Sequence, residues 1–339
     1  LTPGITVLVP HWNRRELLDR LLVRLYHQTA PIRQVLVVDN GSDDGSIELA
    51  HSRHACVIAL GRNVGFSGAV NRGLRETTTE HVAIVNNDVE PEPDWLERLA
   101  AALDSPRVWF AVGKLLDAAN TRSLDGTFDE LSRGACAWRA GQRRPDGPLW
   151  NRGRRIRFAS FTAAVFRTEL FHRVGLLDET FESYLEDVDF CLRCAVRGYS
   201  GLYVPEAVAR HIGSATLGRW HPETVRRISR NQVLLIAKHY PGRCLVRWAW
   251  AIVVGQLLWG GLALRHRRAL PFLSGKVEGA RLFLRVRRQA RRNAEKIRAD
   301  RHNEFSRIVE QSESEIYRLQ RRTAFDLYWR LYFALTSLQ

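Results

Sequence analysis

Residues 81–85 form an apolar run that passes without a break into Asn86-Asn87-Asp88, then into the proline-punctuated stretch Val89-Glu-Pro-Glu-Pro-Asp-Trp. A run that is apolar at successive positions suits a strand covered on both faces. Strands of that kind belong to sheets with helices packed on either side. The pattern recurs upstream, where residues 5–10, 34–39 and 56–60 read as short apolar strands. Helix-like segments separate them. Residues 14–28 place Leu17, Leu18, Leu21, Leu22 and Leu25 on one side, and residues 69–77 and 93–103 read as further helices. The expected fold class is therefore α/β, a mostly parallel sheet with helices on both faces. In such sheets ligands bind beyond the carboxyl ends of the strands, which is where Asp88 falls. A carboxylate there offers hard oxygen contacts to a divalent cation, and through it to a phosphate. Asn86, Asn87 and Asp88 are also ordinary turn formers, so this stretch alone leaves both readings open.

Beyond residues 108–116, a further strand, the pattern loosens. Residues 117–156 are rich in Gly, Arg and Asp and read as a loop or small hairpin insertion. Residues 158–166 are strand-like, 168–175 and 185–197 helical, and 199–212 strand and loop. From Pro222 onward helix is expected almost throughout.

The net charge of +15 is unevenly placed. Residues 243–339 hold 20 Lys or Arg against 8 Asp or Glu, a net +12, which leaves 31 against 28, or +3, for residues 1–242. This asymmetry divides the chain into a near-neutral domain, 1–242, and a basic helical appendage, 243–339. Five cysteines make no disulfide framework. Cys191 and Cys194 lie three apart on a predicted helix, where packing explains them better than a metal. Residues 1–10 have neither the length nor the basic start of a signal peptide, so a reducing, cytoplasmic setting is expected.

Three further motifs bear on chemistry. Gly61-Arg-Asn-Val-Gly-Phe-Ser-Gly lacks the Gly-Lys-Ser/Thr of a phosphate-binding loop and is neither G-x-G-x-x-G nor G-x-S-x-G. Its glycines fit close approach to a ligand or a tight strand-to-helix turn. Glu186-Asp187-Val-Asp189 opens a helix, where acidic residues are favoured by the dipole, yet a carboxylate there also fits a general base. His211-Ile-Gly-Ser-Ala-Thr follows a strand, and its imidazole suits either a structural role or a metal or phosphate.

Taken in order, these segments resemble the family 2 glycosyltransferases, which use the GT-A fold. The matching residues are Val7-Leu-Val-Pro-His-Trp-Asn-Arg, Val37-Val-Asp-Asn-Gly-Ser-Asp-Asp-Gly, Asn63-Val-Gly-Phe-Ser-Gly-Ala-Val-Asn-Arg-Gly and Asn86-Asn-Asp-Val-Glu-Pro. Gly175-Leu-Leu-Asp-Glu-Thr-Phe, Tyr184-Leu-Glu-Asp-Val-Asp-Phe-Cys-Leu-Arg and His211-Ile-Gly-Ser follow. The resemblance covers about residues 4–240 and is nearest to the rhamnosyltransferase-like branch. It implies a Rossmann-like GT-A domain that moves a sugar from a nucleotide diphosphate, dTDP-rhamnose first among candidates, to a glycan or lipid-linked acceptor.

It also implies residue roles. Asp39 would read the base or ribose, flanked by Pro10, His11 and Trp12. Asn63, Gly65 and Phe66 would lie along the nucleotide. Asp88 and His211 would hold Mg²⁺ or Mn²⁺, with Asn87 beside them, and Asp187 would be the catalytic base, with Glu186 next to it as a substrate-binding residue. Two departures from the family pattern stand out. Asn86 and Asn87 leave Asp88 as the only carboxylate of the metal motif, and Ala163-Ala164 stands where glycine is common next to the acceptor.

The appendage has its own signature. Within residues 245–264 only Arg247 and Gln256 are strongly polar, and Arg265, Arg267 and Arg268 follow at once. About twenty apolar residues span a bilayer. Residues 270–288 place Leu270, Leu273, Val277, Ala280 and Leu284 on one face, flanked by Lys276, Arg281, Arg285 and Arg287. That pattern suits a helix lying in an anionic membrane surface, with a packed bundle, oligomer contacts or a true span as alternatives. Residues 313–335 read as a further helix with an aromatic-rich end. Peripheral attachment to the inner face of the plasma membrane is the expectation. Nucleic-acid binding is the rival reading of the basic helices and is not expected, because long aliphatic runs interrupt them and no known reader motif is present. A nucleotide-binding scaffold without catalysis is the other rival.

Overall fold

The computed structural model describes residues 1–213, 218, 220–294 and 301–336, with the backbone alone for residues 293, 294, 301 and 302. The Ser214-Ala-Thr end of the His211 motif lies outside the described residues. The chain divides into two compact units, Leu1–Asp129 with Gly141–Thr216, and Glu130–Ala140 with Leu217–Gln339.

The first unit opens with β1 (Thr2–His11), α1 (Arg15–Tyr26), β2 (Gln34–Asp39), α2 (Ser46–Ser52), β3 (Cys56–Ala59), α3 (Gly65–Glu76) and β4 (Thr79–Val85). Then come β5 (Val89–Pro91), α4 (Trp95–Ala102), β6 (Phe110–Asp117) and β7 (Asn120–Gly126). After the short strands β8 (Asp129–Leu131) and β9 (Ala137–Arg139), the unit resumes with β10 (Arg154–Ile156), β11 (Ala163–Arg167), α5 (Thr168–Val174), α6 (Glu186–Ala195) and β12 (Gly201–His211). The strand order is β10-β12-β6-β11-β4-β1-β2-β3, with β5 on β12 and β7 on β6.

The α/β expectation holds, and the sheet is mixed. The four strands β1 to β4 pair in parallel, β11 runs antiparallel to both β4 and β6, and β6 and β12 are again parallel. Helices cover both faces. Val7, Val9, Val37 and Val85 share a core with Leu18 and Leu21 of α1 and Leu96 and Leu99 of α4. Leu8 and Val38, pointing the other way by the period-two rule, meet α3. A Cβ added to Gly73 of α3 would come within 2.0 Å of Leu8, so only glycine lets this helix lie so close. On the same face Phe166 of β11 packs with Phe171 of α5 and Phe190 of α6.

In the Gly61–Gly68 segment only Gly61 to Val64 form the strand-to-helix turn, because α3 starts at Gly65. The segment 117–156 is more ordered than its composition suggests and supplies four of the strands.

The second unit holds α7 (Pro222–His239), α8 (Gly242–Arg247), α9 (Ala249–Arg265), α10 (Ala269–Ala294), α11 (Arg301–Thr323) and α12 (Leu327–Thr336). The β8–β9 hairpin carries residues 130–140 into it. Arg133 Nε donates to Glu313 Oε1 at 2.7 Å, Leu131 N to Ser312 Oγ at 2.7 Å, and Tyr332 Oη to Glu313 Oε2 at 2.8 Å. Glu313 is fully buried, and a buried carboxylate persists only when paired in this way.

The structure thus groups α7 with the C-terminal helices, whereas the sequence reading divides the chain after residue 242. Residues 245–264 are split between α8 and α9 around Trp248. Among the described residues no helix is long and apolar enough to cross a membrane. Lys276 differs from expectation. It does not flank an apolar face but turns inward, half-buried, donating to Ser229 O at 3.0 Å, Gln232 Oε1 at 2.8 Å and Gln256 Oε1. Burial pulls its ammonium down to about 8.

Candidate active site

The strand order reverses direction between β1 and β4, and it is beyond the carboxyl ends of the strands at such a switch that open α/β sheets bind ligands. Registers decide which residues meet there. His11 pairs with Asp39 across β1 and β2, and Leu8 with Ile84 across β1 and β4. Pro10 and His11 are buried at the end of β1, and Trp12 is half-buried just beyond. Asp39 Oδ1 accepts from Gly41 N at 3.1 Å and Ser42 N at 3.0 Å. Its Oδ2 is buried and finds no hydrogen-bond partner among the described residues.

Burial pushes the His11 imidazole down to about 4, against the opposite pull of Asp39, Asp44 and Glu16. It is therefore neutral at neutral pH. Its Nδ1 lies 2.9 Å from Asn87 Nδ2. The amide nitrogen can only donate, so Nδ1 accepts and the ring proton sits on Nε2. That Nε2 is also buried without a partner among the described residues. An unpaired buried polar atom costs about 1–3 kcal/mol. Two of them at one sheet edge are what a crevice awaiting a polar ligand would contain.

The next wall is built around Asn40. Its Oδ1 accepts from Val64 N at 2.8 Å and its Nδ2 donates to Asn63 Oδ1 at 3.1 Å, while Asn63 Oδ1 also accepts from Gly65 N at 2.9 Å. Ser67 N donates to Glu182 O at 2.8 Å, and Phe66 N to Ser183 Oγ at 3.2 Å. The start of α3 is thus tied to the loop that precedes α6. Gly65 permits this: its φ is +83°, and an added Cβ would press on Glu182 at 3.1 Å.

Strand pairing also assembles a carboxylate–histidine–carboxylate row. His211 opposes Val89 across β12 and β5, and Ile212 N donates to Asp88 O at 3.0 Å. His211 Nε2 lies 3.2 Å from Asp88 Oδ1, and His211 Nδ1 lies 2.8 Å from Asp125 Oδ2. Burial alone would lower the imidazole. The hydrogen bonds to Asp125 and Asp88 outweigh it and hold His211 up at about 9. When the ring loses a proton, Asp125 can keep Nδ1–H, leaving the Nε2 lone pair toward Asp88. A carboxylate fixing one nitrogen while the other faces a ligand site is the common outer-shell pattern of metal-binding histidines. Among the described residues no group of three His, Cys, Asp or Glu is placed to hold a metal. The side chains here that could contribute to such a site are Asp88 and His211, whose Oδ1 and Nε2 lie 3.2 Å apart.

Asp187 lies in the first turn of α6, half-buried, with Oδ1 accepting from Val188 N at 2.8 Å. Tyr184 and Leu185 lead into the helix with φ of +73° and +64°, a left-handed path that non-glycine residues take only when held. The helix is held from behind. Phe190 stacks on Phe171 at 4.8 Å, and Arg193 pairs with Asp189 at 3.1 Å while donating to Val174 O and Leu176 O. Asp189 is therefore a fully buried strut rather than a rim carboxylate. Glu186 is buried as well. Cys191 and Cys194 are buried, and burial raises both thiols, in keeping with packing. Ala163 and Ala164 lie buried in β11, opposite Val85 and Ile84.

The residues singled out from sequence thus fall into linked groups: Pro10, His11, Trp12, Asp39 and Asn87; Asn63, Gly65 and Phe66; Asp88 and His211; Glu186 and Asp187. Sequence reasoning missed Asn40 and Asp125. Asn40 follows Asp39 directly at a strand end, a local signal. Asp125 is 86 positions from His211, and no local pattern marks it.

The matches to known proteins agree with this architecture. The family model Glycosyl transferase family 2 matches residues 6–175. An N-acetylglucosaminyl-diphospho-decaprenol L-rhamnosyltransferase of Mycobacterium tuberculosis is 28% identical over 279 residues, 73% of this chain and 87% of that protein. A pre-mycofactocin glycosyltransferase of the same organism is 29% identical over 64% of this chain and 44% of its own length. Among solved structures, the Pyrobaculum calidifontis mannosyltransferase PcManGT in complex with GDP-Man and Mn²⁺ superposes with a TM-score of 0.52 at 18% identity, covering 98% of this chain and 87% of that one. GalNAc-T7 with UDP, GalNAc and Mn²⁺ gives 0.60 at 13% identity over 77% of this chain, which spans 51% of the GalNAc-T7 chain. With half of its length matched by the family model and a GT-A architecture throughout the first unit, the chain belongs to glycosyl transferase family 2.

Proposed function

We propose that the chain is an inverting transferase that moves L-rhamnose from dTDP-L-rhamnose to a hydroxyl of a lipid-linked glycan in cell-surface polysaccharide synthesis. The observation that carries the catalytic part is the Asp88–His211–Asp125 row at the carboxyl edge of the sheet, beside the orphaned polar atoms of His11 and Asp39. The named rhamnosyltransferase relative supports the choice of sugar and acceptor class. A UDP- or GDP-linked donor is the alternative, favoured by the nucleotides bound in the structural neighbours.

Asp39 Oδ2 and His11 Nε2–H, an acceptor and a donor, pair with the base or ribose, with Pro10 and Trp12 beside it. Asn63, Gly65 and Phe66 line the nucleotide. Asp88 and His211 hold Mg²⁺ or Mn²⁺, with Asn87 adjacent. A divalent ion there supplies charge neutralisation to a leaving diphosphate. Asp187 takes the proton from the acceptor hydroxyl as its oxygen attacks the anomeric carbon. The bond to the diphosphate oxygen breaks on the opposite face, and one displacement inverts the centre. Glu186 borders that site.

Residues 1–242 carry this chemistry. Residues 243–339 serve contact with the inner face of the plasma membrane, self-association, or both, and the chain works in the cytoplasm. Calorimetry with a panel of nucleotide sugars, with and without Mn²⁺, tests the reading. Metal-dependent binding of dTDP-rhamnose, followed by transfer to a polyprenyl-diphosphate glycan, is the expected result. No binding of any nucleotide sugar would overturn it.

A further inference from the structure

The second unit leaves a broad apolar face in solvent. Trp250, Val253 and Leu257 of α9 are exposed at helical spacing, and Leu257 is 68% exposed. Leu273, Val277 and Leu284 continue the face on α10, and Leu331 and Leu335 on α12. These stripes adjoin. Trp250 Nε1 donates to Leu335 O at 2.8 Å, joining α9 to α12. A Cβ added to Gly260 of α9 would come within 2.9 Å of the Phe272 ring of α10. The opposite side of α10 is already occupied. Gly275 packs so closely on α7 that a Cβ would stand 2.2 Å from Arg226 O, and Glu278 pairs with Arg230 at 2.9 Å. The exposed stripe is what remains after these helices have packed on one another.

Charge narrows the choice of occupant. Residues 242–292 contain twelve Lys or Arg and one acidic residue, Glu278, which points inward. Arg265, Arg267, Arg281, Arg285 and Arg288 are exposed, and none makes an ion pair among the described residues. A second copy of the chain would bring like charges together. A nucleic acid would meet the guanidinium groups but leave the apolar stripes in water. An anionic bilayer satisfies both, with phosphates for arginine and acyl chains for leucine, valine and tryptophan.

We propose that the face formed by α9, α10 and α12 lies on an anionic lipid surface. This specifies the membrane contact proposed above and rests on that reading. Removing such side chains from water favours the bound state in proportion to the apolar area covered. Each arginine near an anionic surface adds about a fivefold gain in partition.

Flotation of the full chain with phosphatidylglycerol–phosphatidylcholine vesicles, and with phosphatidylcholine alone, tests it. The wild type is expected to float with the anionic vesicles at low salt. The double variant Leu257→Glu/Val277→Glu is expected to lose at least about tenfold in partition. The variant Arg281→Ala/Arg285→Ala is expected to lose a similar factor, with circular dichroism melts showing both folded. Three results would each overturn the proposal: a wild type that stays with the free protein, variants that float as well as the wild type, or light scattering that shows a dimer split by both variants with no vesicle binding. Donor calorimetry on the same variants keeps the two readings apart. Vesicle binding without donor binding sinks the transferase reading, and donor binding without vesicle binding sinks this one.

Discussion

His211 bridges Asp88, at 3.2 Å from its Nε2, and Asp125, at 2.8 Å from its Nδ1, so one buried imidazole is shared by two carboxylates. That sharing sets its proton chemistry. With His211 held up at about 9, the ring is charged at neutral pH, and Nε2 must lose its proton before it can bind a cation. Apparent Mn²⁺ affinity should therefore rise about tenfold per pH unit between about pH 6.5 and 9, then level off. Calorimetry in two buffers of different ionisation enthalpy reads the released proton directly. Binding with no proton release would mean that Nε2 is not a ligand.

Asp125 acts on the same ring from the far side. Asp125→Asn should keep the fold but remove the charge that fixes Nδ1–H, so the imidazole falls and competes less for protons, while the pH-independent Mn²⁺ affinity reached once the ring is neutral weakens by about 10- to 100-fold. Asn can still accept the hydrogen bond, so a simple packing role would leave metal affinity unchanged. The two outcomes separate by titration with Mn²⁺ and by following the His211 ring resonances against pH.

Asp187 is half-buried at the start of a helix pinned by Phe190 and Arg193. Asp187→Asn should leave nucleotide-sugar binding intact and lower turnover by about 10²- to 10⁴-fold, the usual contribution of a positioned base. Near-normal transfer by this variant would remove Asp187 from that role. Asp88→Ala should instead weaken metal-dependent donor binding, so the pair distinguishes proton transfer from donor capture.

Gly65 couples the start of α3 to the loop before α6. Gly65→Ala forces a Cβ into φ +83° and against Glu182 at 3.1 Å. A non-glycine residue held in left-handed space costs on the order of 1–3 kcal/mol. The variant should lose stability in urea by about that amount. It should also raise the KM for the donor, because Phe66 N and Ser67 N lose their hold on Ser183 and Glu182. A variant as stable as the wild type would show that this loop pair is free to relax.

The parts of this architecture that could be read from sequence are those with local causes. The run from Val82 to Val85 is apolar because both of its faces are covered, and Asp39 and Asp88 stand where such runs stop. The hairpin around Arg133 gave no such signal. Its strands are three residues long, and its partner Glu313 lies 180 positions away. Lys276 misled for the opposite reason. A helical wheel places it beside the exposed stripe, but three carbonyl acceptors from α7 and α9 draw it inside. Asp125 belongs with the hairpin: only the β12–β6–β7 ladder brings it to His211.

His11 makes acid stability a measurable property of the proposed nucleotide site. Its imidazole is pushed down to about 4 in the folded chain and titrates near 6.5 when unfolded. Below about pH 6.5 the unfolded chain takes up a proton that the folded chain refuses, so unfolding becomes easier as pH falls. The stabilising contribution is fully present above pH 6.5, declines toward pH 4 and is flat below. Its total is on the order of 3 kcal/mol, with about 2 kcal/mol already lost by pH 5. His11→Gln cannot titrate there. The difference in unfolding free energy between wild type and variant should therefore shift by about 2 kcal/mol in favour of the variant between pH 7 and pH 5. Urea melts at both pH values measure it. Parallel pH profiles for the two proteins would mean that the folded imidazole takes up its proton as readily as the unfolded one, and that His11 Nε2 is not the neutral donor proposed to face the base.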